Sequence, residues 1–232
     1  MRAIFPADAE EALKAEFFRA TPAGFFVDVG ANAPQDGSQS FAMERQGWSG
    51  VLVEPQPDLA ATLRRERRGK VYAVACSSPA DAGKTLTLHL AGIQSSLRPD
   101  FYVAGMQRAG TVAVPVMTLD QVLTDAGAPT PLDFASIDVE AHEIEVLEGF
   151  DLARWRPRLL LIEDVVQNQR LHRYLTGRGY RWFRRTGINS WYVPADAAER
   201  VSLVGRLQFV RKYYLGLPFR VLREKKRRLL GQ

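Results

Sequence analysis

The feature that most restricts the fold is a rhythm, in which apolar runs of five to eight residues alternate with stretches of helical spacing. FFVDV is followed by a short helical stretch over 38–46, GVLVEP by DLAATLRRERR, which reads as a helix capped at Asp58, and VYAVAC closes this first β-α-β-α-β series. Strands that are apolar on both faces need cover on both, so the series predicts a parallel sheet sandwiched between helices. A helix over 8–19, opening on acidic residues, leads in. The rhythm returns with TLDQVLTDA, DFASIDVE, EIEVLEGF and RLLLIED. A helix over 167–177 follows, and YRWFRRT and NSWYVP read as a closing antiparallel pair.

The middle breaks the rhythm. TLTLHL and TVAVPVMTL alternate like half-exposed strands around GIQSSLRPD, which predicts a hairpin insertion or lid over 84–117. With 232 residues, 46% of them hydrophobic, the chain can bury one large core, so one α/β domain is expected over 1–195. Residues 196–232 read as a basic, amphipathic helical extension, with nine Lys or Arg and one acid between Arg206 and Arg228. Leu203, Leu207, Val210, Tyr214, Leu217, Val221 and Leu222 share one helical face there. The expected arrangement packs that helix on the domain with its charges in water; peripheral contact with an acidic membrane surface or another partner is the alternative. No nucleic-acid reading motif accompanies the basic residues, so nucleic acid is not an expected partner. The N-terminal MRAIFPADAEE lacks a signal-peptide apolar region and no run of about 18 apolar residues occurs, which predicts a cytoplasmic protein. The lone Cys76, set in YAVAC, reads as a small buried side chain.

In a wound parallel sheet, ligands bind beyond the carboxyl ends of the strands. Three loops there carry chemistry. DVGAN ends the first strand: Gly30 permits backbone to approach a ligand closely, and Asp28 can accept hydrogen bonds from a ligand or a loop amide. Glu54 ends the second strand, twenty-six positions after Asp28, where a carboxylate can accept from both hydroxyls of a ribose. The spacing G-x-G-x-x-G is absent, since Gly37 is the next glycine and Pro34 intervenes, and no Walker spacing occurs. The loop therefore suits a nucleoside without phosphates, especially one carrying a cationic sulfonium.

SIDVEAHEIEVLEGFD is the third loop and delivers Asp138, Glu140, His142 and Glu143 in close succession. His142 can remove a proton from an alcohol, or can serve as a polar helix cap. Glu163 and Asp164 end the last apolar strand; with Asp138 they could form an oxygen-rich site for Mg²⁺, though carboxylates that bind substrate hydroxyls are the expected use and no metal is demanded. His89 and His172 read as structural or surface residues.

Taken in order, FVDVGAN, GWSGVLVEP, VPVMTLDQVL, SIDVEAHEIEVLEGFD and LLLIED resemble the FkbM family of S-adenosylmethionine-dependent methyltransferases over about residues 24–165. The run from Ile137 to Gly149 is similar to the family signature I-D-x-E-G-x-E followed by L-x-G, with Ala141 where glycine is usual. The resemblance implies a class I methyltransferase fold, Rossmann-like and three-layered, with a seven-stranded, mostly parallel sheet whose last strand is antiparallel. It implies S-adenosylmethionine as cofactor and methyl transfer to a hydroxyl of a sugar, glycan or secondary metabolite. Asp28, Gly30 and Asn32 would then surround the methionine part, Glu54 would hold the ribose, and Ala75, Cys76 and Ser77 would approach the adenine. Ser95 and Ser96 match a family S-S-L stretch and would help to close the site over substrate. Asp138 and His142 are the candidates for positioning and proton removal, with Glu140 and Glu163 on the acceptor. Two other readings stand beside it: an NAD-type oxidoreductase, which shares strand and acid but needs the missing glycine spacing, and a non-catalytic module that binds through the basic helix.

Overall fold

The computed structural model describes residues 7–101, 105–164 and 169–216. Helix α1 (Ala7–Phe17) precedes strand β1 (Phe25–Val29), α2 (Phe41–Arg45), β2 (Ser49–Val53), α3 (Pro57–Glu66) and β3 (Lys70–Tyr72). Then come β4 (Ala75–Cys76), β5 (Thr85–Leu90), β6 (Gly110–Met117), α4 (Leu119–Ala126), β7 (Phe134–Ile137), α5 (Glu143–Glu148) and α6 (Leu152–Trp155). The series closes with β8 (Leu159–Glu163), α7 (Gln169–Thr176), β9 (Tyr180–Thr186), β10 (Asn189–Pro194), α8 (Leu203–Val210) and a π-helical turn, Arg211–Gly216.

Seven strands form the main sheet in the order β3-β2-β1-β7-β8-β10-β9. All neighbours from β3 to β8 are parallel; β10 runs antiparallel to both β8 and β9. The order turns back between β1 and β7, so the carboxyl ends of those strands flank the crevice where ligands bind in such sheets. Alternation along each strand divides the core into two layers. Val27, Val29, Ala135, Ile137, Leu160 and Ile162 meet α4, α5 and α7 on one side. Phe26, Leu52, Phe134 and Leu161 meet Phe18, Met43 and Leu63 on the other. Helix α4 illustrates the local encoding, with Thr118 and Gln121 forming a reciprocal capping box and Gly127 closing the helix in the left-handed region.

Three expectations need correcting. VYAVAC is not one strand: Lys70–Tyr72 stays in the main sheet while Ala75–Cys76 leaves it to pair with β6. Asp58 does not cap α3; Pro57 occupies the first turn and Gln56 precedes it without a side-chain cap. The C-terminal helix does dock, but with the opposite face. Gly205 and Tyr213 are buried and Phe209 stacks near Trp182 and Tyr213, whereas Leu203, Leu207, Val210 and Tyr214 face outward. Burial of Lys212 explains the choice, because its ammonium is held by Asp164 and by Ser190 Oγ. Leu217, Val221 and Leu222 lie outside the described residues.

The segment 84–117 contains an antiparallel hairpin, with Thr85 opposite Pro115 and Leu90 opposite Gly110. It stands over the carboxyl edge of the sheet through β4 and a small apolar core of Ala75, Leu88, Val114 and Val116.

Candidate active site

Beyond β1, β2 and β7 lies an open cleft that takes in about 550 Å³ of space, open solvent at its mouth included. Its walls include Gly30, Asn32, Glu54, Ala75, Cys76 and Ser95, and Asp138, Glu140 and His142 close one end. Val53, Val74, Leu88 and Leu97 give it an apolar interior. Among the described residues no lysine or arginine lines it, whereas three carboxylates do.

Glu54 is the most firmly built of these groups. Its Oε2 accepts from the Asn32 backbone N–H at 2.9 Å and its Oε1 from the Gln56 N–H at 2.8 Å. Each oxygen keeps a second lone pair, so the carboxylate can accept two further hydrogen bonds from a ligand. Burial raises its pKa, against the two backbone bonds that lower it. Asn32 takes φ of 51°, the left-handed turn that aims its N–H at Glu54.

Gly30 serves a different neighbour from the one anticipated. At φ of 84°, a Cβ on it would lie 1.8 Å from the Asp138 carbonyl oxygen, so the close approach is between the ends of β1 and β7, not between backbone and ligand alone. Asp28 also departs from expectation. Alternation on β1 turns it to the opposite face of the sheet, where its Oδ2 accepts from Ser40 Oγ at 2.6 Å. It does not line the cleft, and desolvation raises its pKa there. The loop after β1 is pinned from behind by buried Arg67, which donates to Pro34 O, Ser38 Oγ and Ser40 Oγ and pairs with Glu44 at 3.0 Å.

The loop 138–142 turns through two left-handed residues, Glu140 at φ 53° and Ala141 at φ 74°. Glycine suits the second position best, which accounts for its use in the resembled signature. Glu143 braces this turn, its Oε1 accepting from the Ala141 N–H at 3.1 Å. Ser96 ties the hairpin to it by donating to Glu140 O at 2.6 Å, while Ser95 lines the cleft itself. Asp138, Glu140 and Glu163 bring oxygens within 4.8 Å of one another. Desolvation and mutual repulsion push Glu140 up to about 7, and Glu143 likewise to about 7. Asp138 and Glu163 are also raised, burial being the larger cause in both.

His142 is held apart from that cluster. Its Nε2 lies 2.9 Å from Ser77 Oγ, which donates to Asp81 at 3.2 Å, and its Nδ1 faces Glu145 at 3.8 Å. With the Ser77 proton directed to Asp81, Nε2 is the donor to Ser77, and burial lowers the imidazole pKa. Ser77 therefore stands behind His142 and does not itself line the cleft. Cys76 does line it, its thiol pushed up to about 12 by burial and inert as a nucleophile. Asp164 is withdrawn from the cation trio anticipated from sequence: one residue beyond Glu163, it points instead to Ser190, Lys212 and Tyr213. Glu140 takes that place. Val74, Leu88 and Leu97 could not be assigned from sequence, because their role depends on the hairpin folding back over the sheet edge.

The sequence matches the methyltransferase FkbM domain over residues 28–182. No curated protein matches it. Among solved structures, it is similar to a methyltransferase from Geobacter sulfurreducens at 14% identity, covering 82% of this chain and 80% of that one, with a TM-score of 0.45. The METTL16 methyltransferase domain gives 12% identity, coverage of 84% and 71%, and a TM-score of 0.46. Precorrin-6y C5,15-methyltransferase from Geobacter metallireducens gives 12%, 83% and 89%, and 0.42. The family match takes in the turn at Gly30, the carboxylate at Glu54 and the whole loop from Asp138 to Glu143, and on that ground the chain belongs to the FkbM methyltransferase family.

Proposed function

We propose that the protein transfers a methyl group from S-adenosylmethionine to a hydroxyl oxygen of a sugar, glycan or secondary metabolite. The observation that carries the choice of cofactor is the cleft's charge: Glu54, Asp138 and Glu140 line it, with no lysine or arginine among the described residues. A dinucleotide's diphosphate would be repelled there, while a cationic nucleoside is attracted. The residues fit the group along its length. Glu54 offers two free lone pairs to ribose hydroxyls, the apolar wall at Val74, Ala75 and Cys76 suits a flat base, and the acidic end at Asp138 suits positive charge. When bound, S-adenosylmethionine supplies a methyl group already activated by its sulfonium.

The chain's own tasks are then placement and proton removal. Asp138 and Glu140 would seat an acceptor hydroxyl beside the activated methyl group that the cofactor would supply, and a carboxylate of this pair would take up the hydroxyl proton. Their raised pKa values make them better bases than ordinary carboxylates. His142, donating to Ser77, acts as a positioning residue for the loop and the cleft wall.

Transfer from isotopically labelled S-adenosylmethionine to a panel of sugars, glycolipids and hydroxylated metabolites, read by mass spectrometry, tests the reaction; a gain of one methyl on oxygen is expected. Calorimetry on the full chain tests the cofactor. Saturable binding that Glu54→Ala weakens at least about tenfold is expected from the loss of charge-assisted hydrogen bonds. Nicotinamide dinucleotide binding without S-adenosylmethionine binding would instead establish the oxidoreductase reading.

A further inference from the structure

We infer that Asp138, Glu140 and Glu163 form a binding site for one divalent, oxygen-seeking cation such as Mg²⁺ or Mn²⁺. Their carboxylate oxygens all lie within 4.8 Å of one another. Two oxygens on opposite sides of Mg²⁺ stand about 4.2 Å apart, so the trio lies near the span an ion needs and would close in slightly on binding. A second observation sets it apart from a chance acidic cluster. Glu163 is 4% exposed, and although its carboxyl shares a hydrogen bond with Asp138 inside the trio, its Oε2 has no partner outside it, where buried polar oxygens nearly always have one. Three other buried or half-buried acids have cations of their own, Glu44 with Arg67, Asp133 with Arg158 and Asp164 with Lys212, while buried Asp28 and Glu54 are held by hydrogen bonds to Ser40 and to backbone N–H groups. Among the described residues no lysine or arginine pairs with Asp138, Glu140 or Glu163.

The ion would sit where two cavities adjoin. Asp138 and Glu140 face the cofactor cleft, while Glu163 faces a second cavity with Arg98, Glu143 and Arg170 in its wall. Three protein oxygens leave coordination positions open, and an acceptor hydroxyl bound there would become more acidic beside the methyl donor. The inference deepens the methyl-transfer reading of this cleft, yet metal binding can be measured without donor or acceptor.

The test titrates Mn²⁺ into chelator-treated full-length protein, following loss of the free-ion electron paramagnetic resonance signal. Saturable binding of one ion per chain is expected, displaced by excess Mg²⁺ and weakened at least tenfold in both Glu163→Gln and Asp138→Asn. Each variant is checked by circular dichroism and by S-adenosylmethionine calorimetry, so that an unfolded variant is recognised and a failed metal site is told from a failed cofactor site. Absence of saturable binding below about 1 mM, or equal binding by the folded variants, overturns the inference.

A different observation supports a second surface. We propose that the outward face of α8 and the following turn lies against an anionic membrane surface. Leu203 is 73% exposed, Leu207 62%, Tyr214 68% and Leu215 62%, with Val204 and Val210 completing one stripe. A contiguous apolar stripe of this kind marks an interaction site. Exposed Arg206 and Arg211 accompany it, and residues 217–232, next in sequence, add six Lys or Arg against one acid. Charge thus favours acidic headgroups as occupant, with the apolar side chains entering the acyl boundary.

Full-length protein is expected to sediment with phosphatidylcholine vesicles containing phosphatidylserine, more weakly at high salt, and not with phosphatidylcholine alone. Leu207→Glu/Leu215→Glu should abolish sedimentation while keeping the fold and S-adenosylmethionine binding. Unchanged sedimentation of that variant, or none by the native chain, overturns the proposal. So does a dimer that the same substitutions dissociate, which would assign the face to a second copy.

Discussion

Gly30 and Glu54 show how single residues are committed by the sheet edge. Gly30→Ala would place a methyl group against the Asp138 carbonyl while holding alanine at positive φ, and both neighbours are strand ends that cannot yield. A loss of about 3 kcal/mol or more is expected in urea unfolding, with S-adenosylmethionine binding lost in whatever fraction folds. Glu54 contributes a pH dependence of known sign. Burial raises its folded pKa above the ordinary 4.5, so the folded chain holds a proton that the unfolded chain has released. Its contribution to stability is complete below pH 4.5 and diminishes as pH rises through the folded pKa. Thermal melts in the absence of cofactor should therefore show Glu54→Gln gaining on the native chain as pH rises from 4.5 towards neutrality; a constant difference would contradict the burial effect.

At the scale of elements, the loop after β1 is held by side chains far away in sequence. Arg67, closing α3, bonds Pro34, Ser38 and Ser40 and pairs with Glu44 in a nearly dry setting, its side chain 0% exposed. Arg67→Met leaves Glu44 buried without that partner and frees the loop; a cost of about 3 kcal/mol is expected in chemical unfolding. Hydrogen exchange should quicken at the amides of residues 31–41 before it does in β1. None of this was legible in the run DLAATLRRERR, where Arg67 is one of four arginines and only its place in the fold distinguishes it. The third apolar run teaches the same lesson. VYAVAC has the composition of one strand, but the hairpin strand β6 competes for its second half and takes Ala75–Cys76 out of the main sheet. That split turns the backbone so that Ala75 and Cys76 form a wall of the cleft.

For the whole molecule, the C-terminal segment through Gly216 is fastened to the sheet and is not a free appendage. Gly205 packs against β9 so closely that a Cβ there would lie 2.6 Å from the Phe183 carbonyl oxygen. Gln208 bonds both the N–H and the C=O of Arg185, and Trp182 Nε1 donates to the Gly205 carbonyl at 3.4 Å. Gly205→Val is expected to undock this helix, at a cost of about 2 kcal/mol from overpacking, with a red shift of tryptophan emission as Trp182 meets water. The sequence alone determined the sheet, its closing antiparallel pair, and the clustering of Glu54, Asp138, Glu140 and His142 at one edge, because apolar period and strand-end chemistry are local signals. Tertiary structure decided which side of the sheet each acid faces. One residue of strand phase sends Asp28 to Ser40 and Asp164 to Lys212, and leaves Glu163 beside Asp138. It also decided which face of α8 is buried, since that depends on where Lys212 finds its counter-charge and not on which face is more apolar.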